Sequence, residues 1–342
     1  MRTVGKWAAS VFAVCFAMAS AVAAQAEELS AERIAAAKAE GKLVFYCGAC
    51  SAAAPETAKI IKLFESKYGI PVEFLETAPG AMQERIRTDV ATGRRIADVS
   101  MQGGTSTYFL SKIGALQPHG ELPNMKALTM TLNVPDEVPA WSFVFGMLIN
   151  TNLVPPGQEP KSWKDVLDPK WKGKILAADF AAPGAGTTFF DLMKRTYGVE
   201  FHEKLAKQDV VVGRELRQNQ RRIGLGEFAI YLNETVSDAN RPKGLPYKMI
   251  VPEEGAYFTP VSLAVVKGAP HPNAADLFLN FMLDQDTQLI YAESAMPVAI
   301  KGLEERVPAE KRSMVYVKFM GSQQLEGQDE RAAEAKKIYG VR

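Results

Sequence analysis

Cysteine and histidine are scarce in this chain of 342 residues, which contains three of each. So few thiols and imidazoles exclude a protein that holds several metal ions or many disulfides. Neither sign of charge is in excess, because the chain has 40 lysines and arginines and 39 aspartates and glutamates. A balanced chain has no strong attraction to nucleic acid, so we expect no such partner. Hydrophobic residues make up 47% of the chain, which excludes a disordered protein.

Long apolar runs are absent except for one short run near the N-terminus. Residues 7–19 are apolar or small and follow the basic residues Arg2 and Lys6, and Ala24-Gln25-Ala26 fits a signal-peptidase site. The run is too short for a permanent membrane span. We therefore predict that residues 1–26 are a signal peptide and that the mature chain is exported to the periplasm. An uncleaved anchor is the alternative.

Two cysteines, Cys47 and Cys50, would remain after this cleavage. In an oxidising compartment a C-x-x-C pair most simply forms a disulfide, and we predict one here. A thioredoxin-like redox centre is the alternative, and it would make the protein an exported thiol oxidoreductase. A zinc site would need two further ligands at a suitable spacing, and the sequence near the pair supplies none, so we predict no metal site.

Strands and helices alternate in two parts of the chain, between residues 42 and 101 and again between residues 163 and 232. Such alternation is typical of parallel sheets covered by helices. Two β-prone runs near residues 143–149 and 256–266 are interpreted as strands that cross between two lobes. We predict an α/β protein whose two α/β domains are joined by a two-strand hinge. The first lobe is expected to contain residues 27–142 and 262–300, and the second residues 143–261 and 301–342.

Open α/β sheets bind ligands beyond the carboxyl ends of their strands. Five predicted strand ends are rich in glycine, hydroxyl or charged residues: 47–51, 100–106, 180–188, 213–214 and 233–236. The residues from these ends and the first crossing strand that we predict to contact a ligand are Ser51, Thr105, Ser106, Trp141, Gly186, Thr187, Thr188, Arg214, Glu234 and Thr235.

Several of these candidates have an ordinary structural interpretation as well. Thr187 and Thr188 follow a glycine-rich helix start, which favours an anion, but threonine also caps helices routinely. Arg214 would clamp a carboxylate or phosphate, or would lie on the solvated face of a basic helix. Trp141 would stack on an organic ligand or pack the hinge. Glu234 would pair with Arg214 or with an amine of the ligand.

Seven segments in order carry a family resemblance. They are GKLVFY with LFESKYGIPVEF (41–74), GRRIADV (93–99), GALQP (114–118), LINTNLV (148–154), SWKDVLDPKWKGKI (162–175), GEFAI (226–230) and VVKGAPHPNAADLFLNFMLDQDTQ (265–288). Together they resemble the bacterial extracellular solute-binding proteins of ABC importers, in the branch that includes ferric-iron, thiamine, polyamine and phosphonate binders. The resemblance implies the two-lobed periplasmic-binding-protein fold (type 2), no enzymatic activity and no cofactor. It also implies a monomer that takes a small-molecule ligand to an ABC permease with its ATPase.

Three features of the sequence bear on the class of ligand. Ferric-binding relatives carry an adjacent tyrosine pair where this chain has Asn233-Glu234-Thr235. This departure, the helix start at 184–188 and Arg214 favour a small organic anion such as a phosphate, phosphonate or carboxylate. Ferric iron, with rearranged tyrosines among Tyr46, Tyr108, Tyr231 and Tyr257, is the alternative within the family. The thiol oxidoreductase is the alternative of another class. A hydrolase is not favoured, because the sequence has no G-x-S-x-G, H-E-x-x-H or Walker A motif.

Overall fold

The computed structural model describes residues 28–130, 132, 134–182, 184–213, 215–236 and 242–340. The predicted signal peptide and Arg214 lie outside these ranges. None of the described helices combines the length and the apolar character that a membrane span requires.

The described residues form eleven α-helices and eleven β-strands. The strands are β1 Leu43–Cys47, β2 Val72–Glu76, β3 Val99–Gly103, β4 Leu116–Gln117, β5 Val138–Asn150, β6 Ile175–Ala178, β7 Val211–Gly213, β8 Ile230–Thr235, β9 Tyr247–Ile250, β10 Ala256–Val266 and β11 Phe319–Gly321. The helices are α1 Ala31–Glu40, α2 Ala54–Tyr68, α3 Pro79–Ala91, α4 Gly104–Lys112, α5 Ala185–Tyr197, α6 Val199–Ala206, α7 Leu216–Gly224, α8 Pro272–Met282, α9 Gln285–Glu293, α10 Arg312–Val315 and α11 Gln328–Tyr339.

Helix α2 illustrates how local sequence sets the limits of an element. Ile60, Phe64 and Tyr68 recur four positions apart, so they share one helix face, and all three are buried. The helix ends at Gly69, whose φ of 70° lies in the left-handed region that glycine adopts most readily.

The eleven strands form one mixed sheet, whose main path has the order β2-β1-β3-β10-β5-β8-β6-β7. Outside this path, β4 and β11 pair with β10, and β9 pairs with β5. β1 pairs in parallel with β2 and β3 at one end, and β6 pairs in parallel with β7 and β8 at the other. Between these ends, β10 runs antiparallel to both β3 and β5. The result is two parallel units joined through a long antiparallel pair.

The antiparallel pair connects two separate hydrophobic cores. In β5, Trp141 is buried in the core of the first lobe and Ile149 in the core of the second. In β10, Tyr257 belongs to the second core and Val265 to the first. Both strands therefore cross between the lobes, as predicted for a two-strand hinge.

The C-terminal part of the chain departs from the prediction. Leu303, Val307 and Val315 are buried in the first core, so residues 301–315 do not belong to the second lobe. Ala335 in α11 is buried in the second core. The chain therefore passes between the lobes a third time, and β11, which lies in this passage, pairs with the hinge strand β10. Sequence periodicity gave no sign of this short strand because it has only three residues.

The predicted strand end at residues 100–106 runs directly into a helix. β3 extends to Gly103, and α4 begins at the next residue, Gly104. Because no loop separates the two elements, Thr105 and Ser106 lie in the first turn of α4. Two of the predicted ligand contacts are thus placed at a helix N-terminus.

Candidate ligand-binding cleft

A cavity of about 370 Å³ lies between the two lobes, beside the hinge. The first lobe contributes mainly small and hydroxyl residues, namely Gly48, Ala49, Ser51, Gly104, Thr105 and Ser106. The hinge and the second lobe contribute Phe143, Phe145, Gly184, Ala185, Thr235 and Thr259. The lining residues from both lobes belong to strand ends and helix starts, which is where an α/β sheet presents its ligand site.

Three helices begin at this cavity. Pro79 starts α3, Gly104 starts α4 and Ala185 starts α5, and each of these residues is part of the lining. Backbone N–H groups in a first helical turn have no partner within the helix, and the helix dipole makes this end positive. In the described part of the chain, none of the residues that line this cavity carries an ionised side chain. The cavity is therefore suited electrostatically to a small anion.

A second cavity of about 460 Å³ extends into the second lobe and shares Phe145, Ala185 and Thr235 with the first. Its remaining polar lining consists of Asp179, Asn219, Tyr231 and Asn233. Burial raises the pKa of Tyr231, so its hydroxyl stays protonated at neutral pH and can donate a hydrogen bond. The two cavities together offer backbone N–H groups at one end, and two side-chain amides, a phenol and the carboxyl group of Asp179 at the other.

Asn233 holds the wall of the second cavity in place. Its Oδ1 accepts a hydrogen bond from the backbone N–H of Ala178 at 2.7 Å, and its Nδ2 donates to the hydroxyl of Tyr257 at 2.7 Å. Burial raises the pKa of Tyr257 well above its usual value, so this phenol is neutral. One side chain thus ties β6 and β8 to the hinge strand β10.

Of the three predicted ligand contacts at the start of α5, one lines a cavity and two do not. Gly186 lines the second cavity. Thr187 Oγ1 accepts from the backbone N–H of Gly184 at 3.2 Å, and buried Thr188 donates to the carbonyl of Gly184 at 2.8 Å. Neither threonine lines one of the two cavities, which agrees with the capping interpretation of these hydroxyls.

The other predicted residues divide into two groups. Ser51, Thr105, Ser106 and Thr235 line the cavity between the lobes, and their contact with a ligand stays a prediction. Trp141 does not line this cavity, because it is 1% exposed and packs against Phe143 and Tyr291. Phe143 and Phe145, two and four positions further along β5, supply the aromatic surface of the cleft instead.

Glu234 is fully buried, and its Oε1 accepts a hydrogen bond from Gln220 Nε2 at 2.9 Å. It is not part of the lining of either cavity. Its predicted contact with a ligand therefore does not fit its position, since the neighbouring residues Asn233 and Thr235 are the ones that reach the cleft.

Four polar residues of the cleft are absent from the sequence-based predictions: Asp179, Asn219, Asn233 and Thr259, which lies in the crossing strand β10. Asp179 directly follows β6, and Asn233 lies near the end of β8, so the same rule about strand ends would have found them. Asn219 belongs to the polar helix α7 and reaches the cavity through the fold, with no signal in its local sequence.

The described residues contain no group of three or more His, Cys, Asp or Glu side chains arranged to hold a metal ion. Of the four tyrosines considered for iron, Tyr231 alone lines one of the two cavities in the described structure. Tyr46 accepts a hydrogen bond from Arg85, and Tyr108 lies against Glu326.

Cys47 and Cys50 form a disulfide, which confirms the predicted pair. Both residues are fully buried; Cys47 is the last residue of β1, and Cys50 begins the 3-10 turn that follows. The two residues between them, Gly48 and Ala49, line the cavity between the lobes. The bond therefore fixes the shape of one wall of the cleft.

A receptor that encloses a small solute between two lobes is the class of protein that this hinge and cleft define. Residues 114–317 match the family described as bacterial extracellular solute-binding proteins. The match spans more than half of the 342 residues, and the chain belongs to this family. Members are binding proteins that deliver small ligands to the permeases of ABC transporters, and this protein is not an enzyme.

The individual relatives have low sequence identity to this chain. An uncharacterised protein of Haemophilus influenzae is 24% identical over 274 residues, which cover 74% of this chain and 75% of the relative. A Trichodesmium protein solved in complex with iron and citrate has a TM-score of 0.71 at 19% identity, over 88% of this chain and 98% of the other. A spermidine/putrescine substrate-binding protein of Streptococcus pneumoniae, in complex with calcium and HEPES, has a TM-score of 0.67 at 15% identity, over 87% and 99% of the two chains. These structures show the two-lobed fold.

Proposed function

We propose that this protein is a periplasmic receptor for a small organic anion, of the phosphate, phosphonate or carboxylate type. In this proposal it acts as a monomer and delivers its ligand to a permease driven by an ATPase. The observation that carries the proposal is the convergence of the first turns of α3, α4 and α5 on a cavity without an ionised side chain in its described lining. The hydroxyls of Ser51, Thr105 and Ser106 supply further donors to an anion there.

The volumes of the two cavities support a ligand of modest size. Cavities of about 370 and 460 Å³ are in the range of ordinary small-molecule sites. Phe143 and Phe145 give the cavity between the lobes an apolar surface on the hinge side, which suits the carbon skeleton of an organic anion better than a bare inorganic ion.

Ferric iron is the second candidate, and the Trichodesmium structure with iron and citrate gives it a concrete form. Iron held as a complex with an organic anion would need the same backbone N–H donors that favour an anion. It would not need the adjacent tyrosine pair that this sequence lacks. The deciding comparison is therefore between citrate alone and ferric citrate.

The proposal is tested by mass spectrometry of the small molecule that co-purifies, followed by thermal-shift measurements with named probes. The probes are phosphate, 2-aminoethylphosphonate, citrate, ferric citrate and spermidine, because a ligand that binds the folded state raises its melting temperature. We expect stabilisation by one of the first three. Stabilisation by ferric citrate but not citrate would support the iron candidate, and stabilisation by spermidine alone would contradict the anion.

Two substitutions then locate the site. Ser106→Ala removes a hydroxyl from the cavity wall, whereas Ser111→Ala removes one from the far end of the same helix and is the matched control. Arg214 remains a prediction from the sequence, where it follows Gly213 of the cavity lining. For an anion, we expect Arg214→Ala to weaken binding by about tenfold to a hundredfold, which is the usual range for a charge-assisted hydrogen bond.

A further inference from the structure

The third passage between the lobes continues into a short segment, residues 322–327, which we call the strap. The strap follows β11, whose residues Phe319 and Gly321 pair with Ala256 and Tyr257 of the hinge strand β10. It leads into α11, which packs on the second core through Ala335. The strap therefore starts at the hinge, and the helix that follows it packs on the second lobe.

Buried Asp191 of α5 anchors the strap to the second lobe. Asp191 Oδ2 accepts a hydrogen bond from the backbone N–H of Gln324 at 2.8 Å, and Oδ1 lies 3.2 Å from Nε of Arg331. The same arginine donates to the carbonyl of Gln324, and Arg195 donates to the carbonyl of Ser322. The backbone of the strap is therefore fixed to one lobe from two sides.

Two side chains of the strap reach the other lobe. Gln323 Nε2 donates to Oγ1 of Thr105 at 3.2 Å, and Gln323 is buried. Glu326 Oε1 lies 3.2 Å from Lys112 Nζ and 3.5 Å from the hydroxyl of Tyr108. All three partners belong to α4, the helix whose first turn forms the wall of the cleft.

We propose that the strap is a latch between the lobes, in which Gln323 and Glu326 hold α4 and stabilise the closed arrangement of the protein without ligand. Gln323 is in addition a positioning residue for the cleft. A hydroxyl that accepts a hydrogen bond keeps its own proton to donate, so Gln323 orients the Thr105 hydroxyl as a donor. The two hinge strands set the path of lobe movement, and the strap sets how much of the population is closed.

The latch is tested on the ligand-free protein, so the result does not depend on the class of ligand proposed above. One spectroscopic label is attached to each lobe through Lys59→Cys and Lys204→Cys, which are exposed positions on α2 and α6. The distribution of distances between the labels is then measured in the mature chain. The native cysteines do not interfere, because they are joined in a buried disulfide.

We expect the parent protein to show a closed population and the Gln323→Ala variant to shift it toward longer distances. The closed-to-open ratio should fall by about two- to tenfold, as expected for the loss of one hydrogen bond. Gln324→Ala is the matched control, because this neighbouring glutamine is exposed and fixed through its backbone. Glu326→Lys should open the protein by a smaller factor, since exposed ion pairs contribute little, and adding Lys112→Glu should restore the parent distribution.

The proposal is overturned if the parent is entirely open, or if Gln323→Ala leaves the distance distribution unchanged. It is also overturned if Gln324→Ala shifts the distribution as much as Gln323→Ala, because the strap would then act only through its own folding. Thermal unfolding of each variant shows whether it is folded. Rescue by the exchanged pair at positions 112 and 326 is an outcome that a merely structural role of the strap would not give.

Discussion

Tyr339 donates a hydrogen bond from its hydroxyl to Nδ1 of His202, with 2.7 Å between the two atoms. The other ring nitrogen, Nε2, lies 2.9 Å from the carbonyl oxygen of Phe190, which can only accept, so the proton of the neutral ring is on Nε2. The ring is fully buried among Phe180, Phe189, Phe190 and Phe201. This contact anchors α11, and with it the strap, to the second core.

This buried histidine should make the protein less stable in mild acid. Burial lowers the pKa of His202 to about 4, and the charge of Lys194 acts in the same direction. Above pH 6.5 the ring is neutral in both folded and unfolded chains. As the pH falls from 6.5 to 4, the unfolded chain takes up a proton that the folded protein excludes, which removes about 3 kcal/mol of stability.

The measurement is the free energy of unfolding by urea at pH 7 and at pH 4.5, for the parent and for His202→Gln. Other groups titrate in this interval in both proteins, so the difference between the two pH dependences isolates His202. We expect a clearly smaller loss in the variant. An equal loss in both proteins would show that the ring is accessible to protons in the folded state.

Gly186 should tolerate no side chain. A Cβ at this position would lie 2.0 Å from the carbonyl oxygen of Asp179, which is backbone and cannot move away cheaply. We expect Gly186→Ala to destabilise the protein by about 1–3 kcal/mol and to widen the second cavity. Gly80→Ala is the matched control in the first turn of α3, because its Cβ would meet no atom within 4 Å. A neutral result for Gly186→Ala in thermal unfolding would contradict the close approach of these two backbones.

Much of this architecture could be predicted from local sequence. The alternation of strands and helices, the crossing of β5 and β10, and the position of the cleft at strand ends all follow from periodicity and one topological rule. The predicted ligand contact of Trp141 was wrong, because alternation along a strand does not tell a core residue from a cleft residue. Trp141 and Phe143 are two positions apart and so share one face of β5, but Trp141 is buried in the first core and Phe143 lines the cleft, because this strand leaves one lobe and enters the other.

Contacts between distant parts of the chain were beyond prediction. The strap meets Thr105 across 218 positions, and no local pattern marks Gln323 as a buried residue. Asn219 reaches the second cavity from a helix with a strongly polar sequence. Such contacts depend on the packing of whole elements, which residue spacing along one element does not encode.

Asn233 should be important for stability as well as for the cleft. Asn233→Ala would leave the N–H of Ala178 and the hydroxyl of Tyr257 without the bonds that they make to this side chain. At about 1–3 kcal/mol for each of the two buried groups left without its partner, we expect a loss of roughly 2–6 kcal/mol in the free energy of unfolding. Asn152→Ala on the surface should change it by less than about 0.5 kcal/mol.

A double-mutant cycle with Tyr257→Phe checks the origin of this loss. If the hydrogen bond between Asn233 and Tyr257 contributes, the double variant will be more stable than the sum of the two single losses predicts. Strict additivity in urea unfolding would mean that the two side chains do not interact in solution.

The Cys47–Cys50 disulfide should resist reduction in the folded protein. Both residues are fully buried, so a reducing thiolate cannot reach either sulfur without opening of the first lobe. We expect no labelling by a maleimide reagent after mild treatment with dithiothreitol, and labelling at two sites when the same treatment is made in guanidinium.

The double variant Cys47→Ser, Cys50→Ser should lose only about 2 kcal/mol of stability, because the closed loop is short. Binding of the probe that stabilises the parent should weaken more than this loss implies, since Gly48 and Ala49 form a wall of the cleft. Rapid reduction of the folded protein would argue against a structural bond and for a thiol that exchanges.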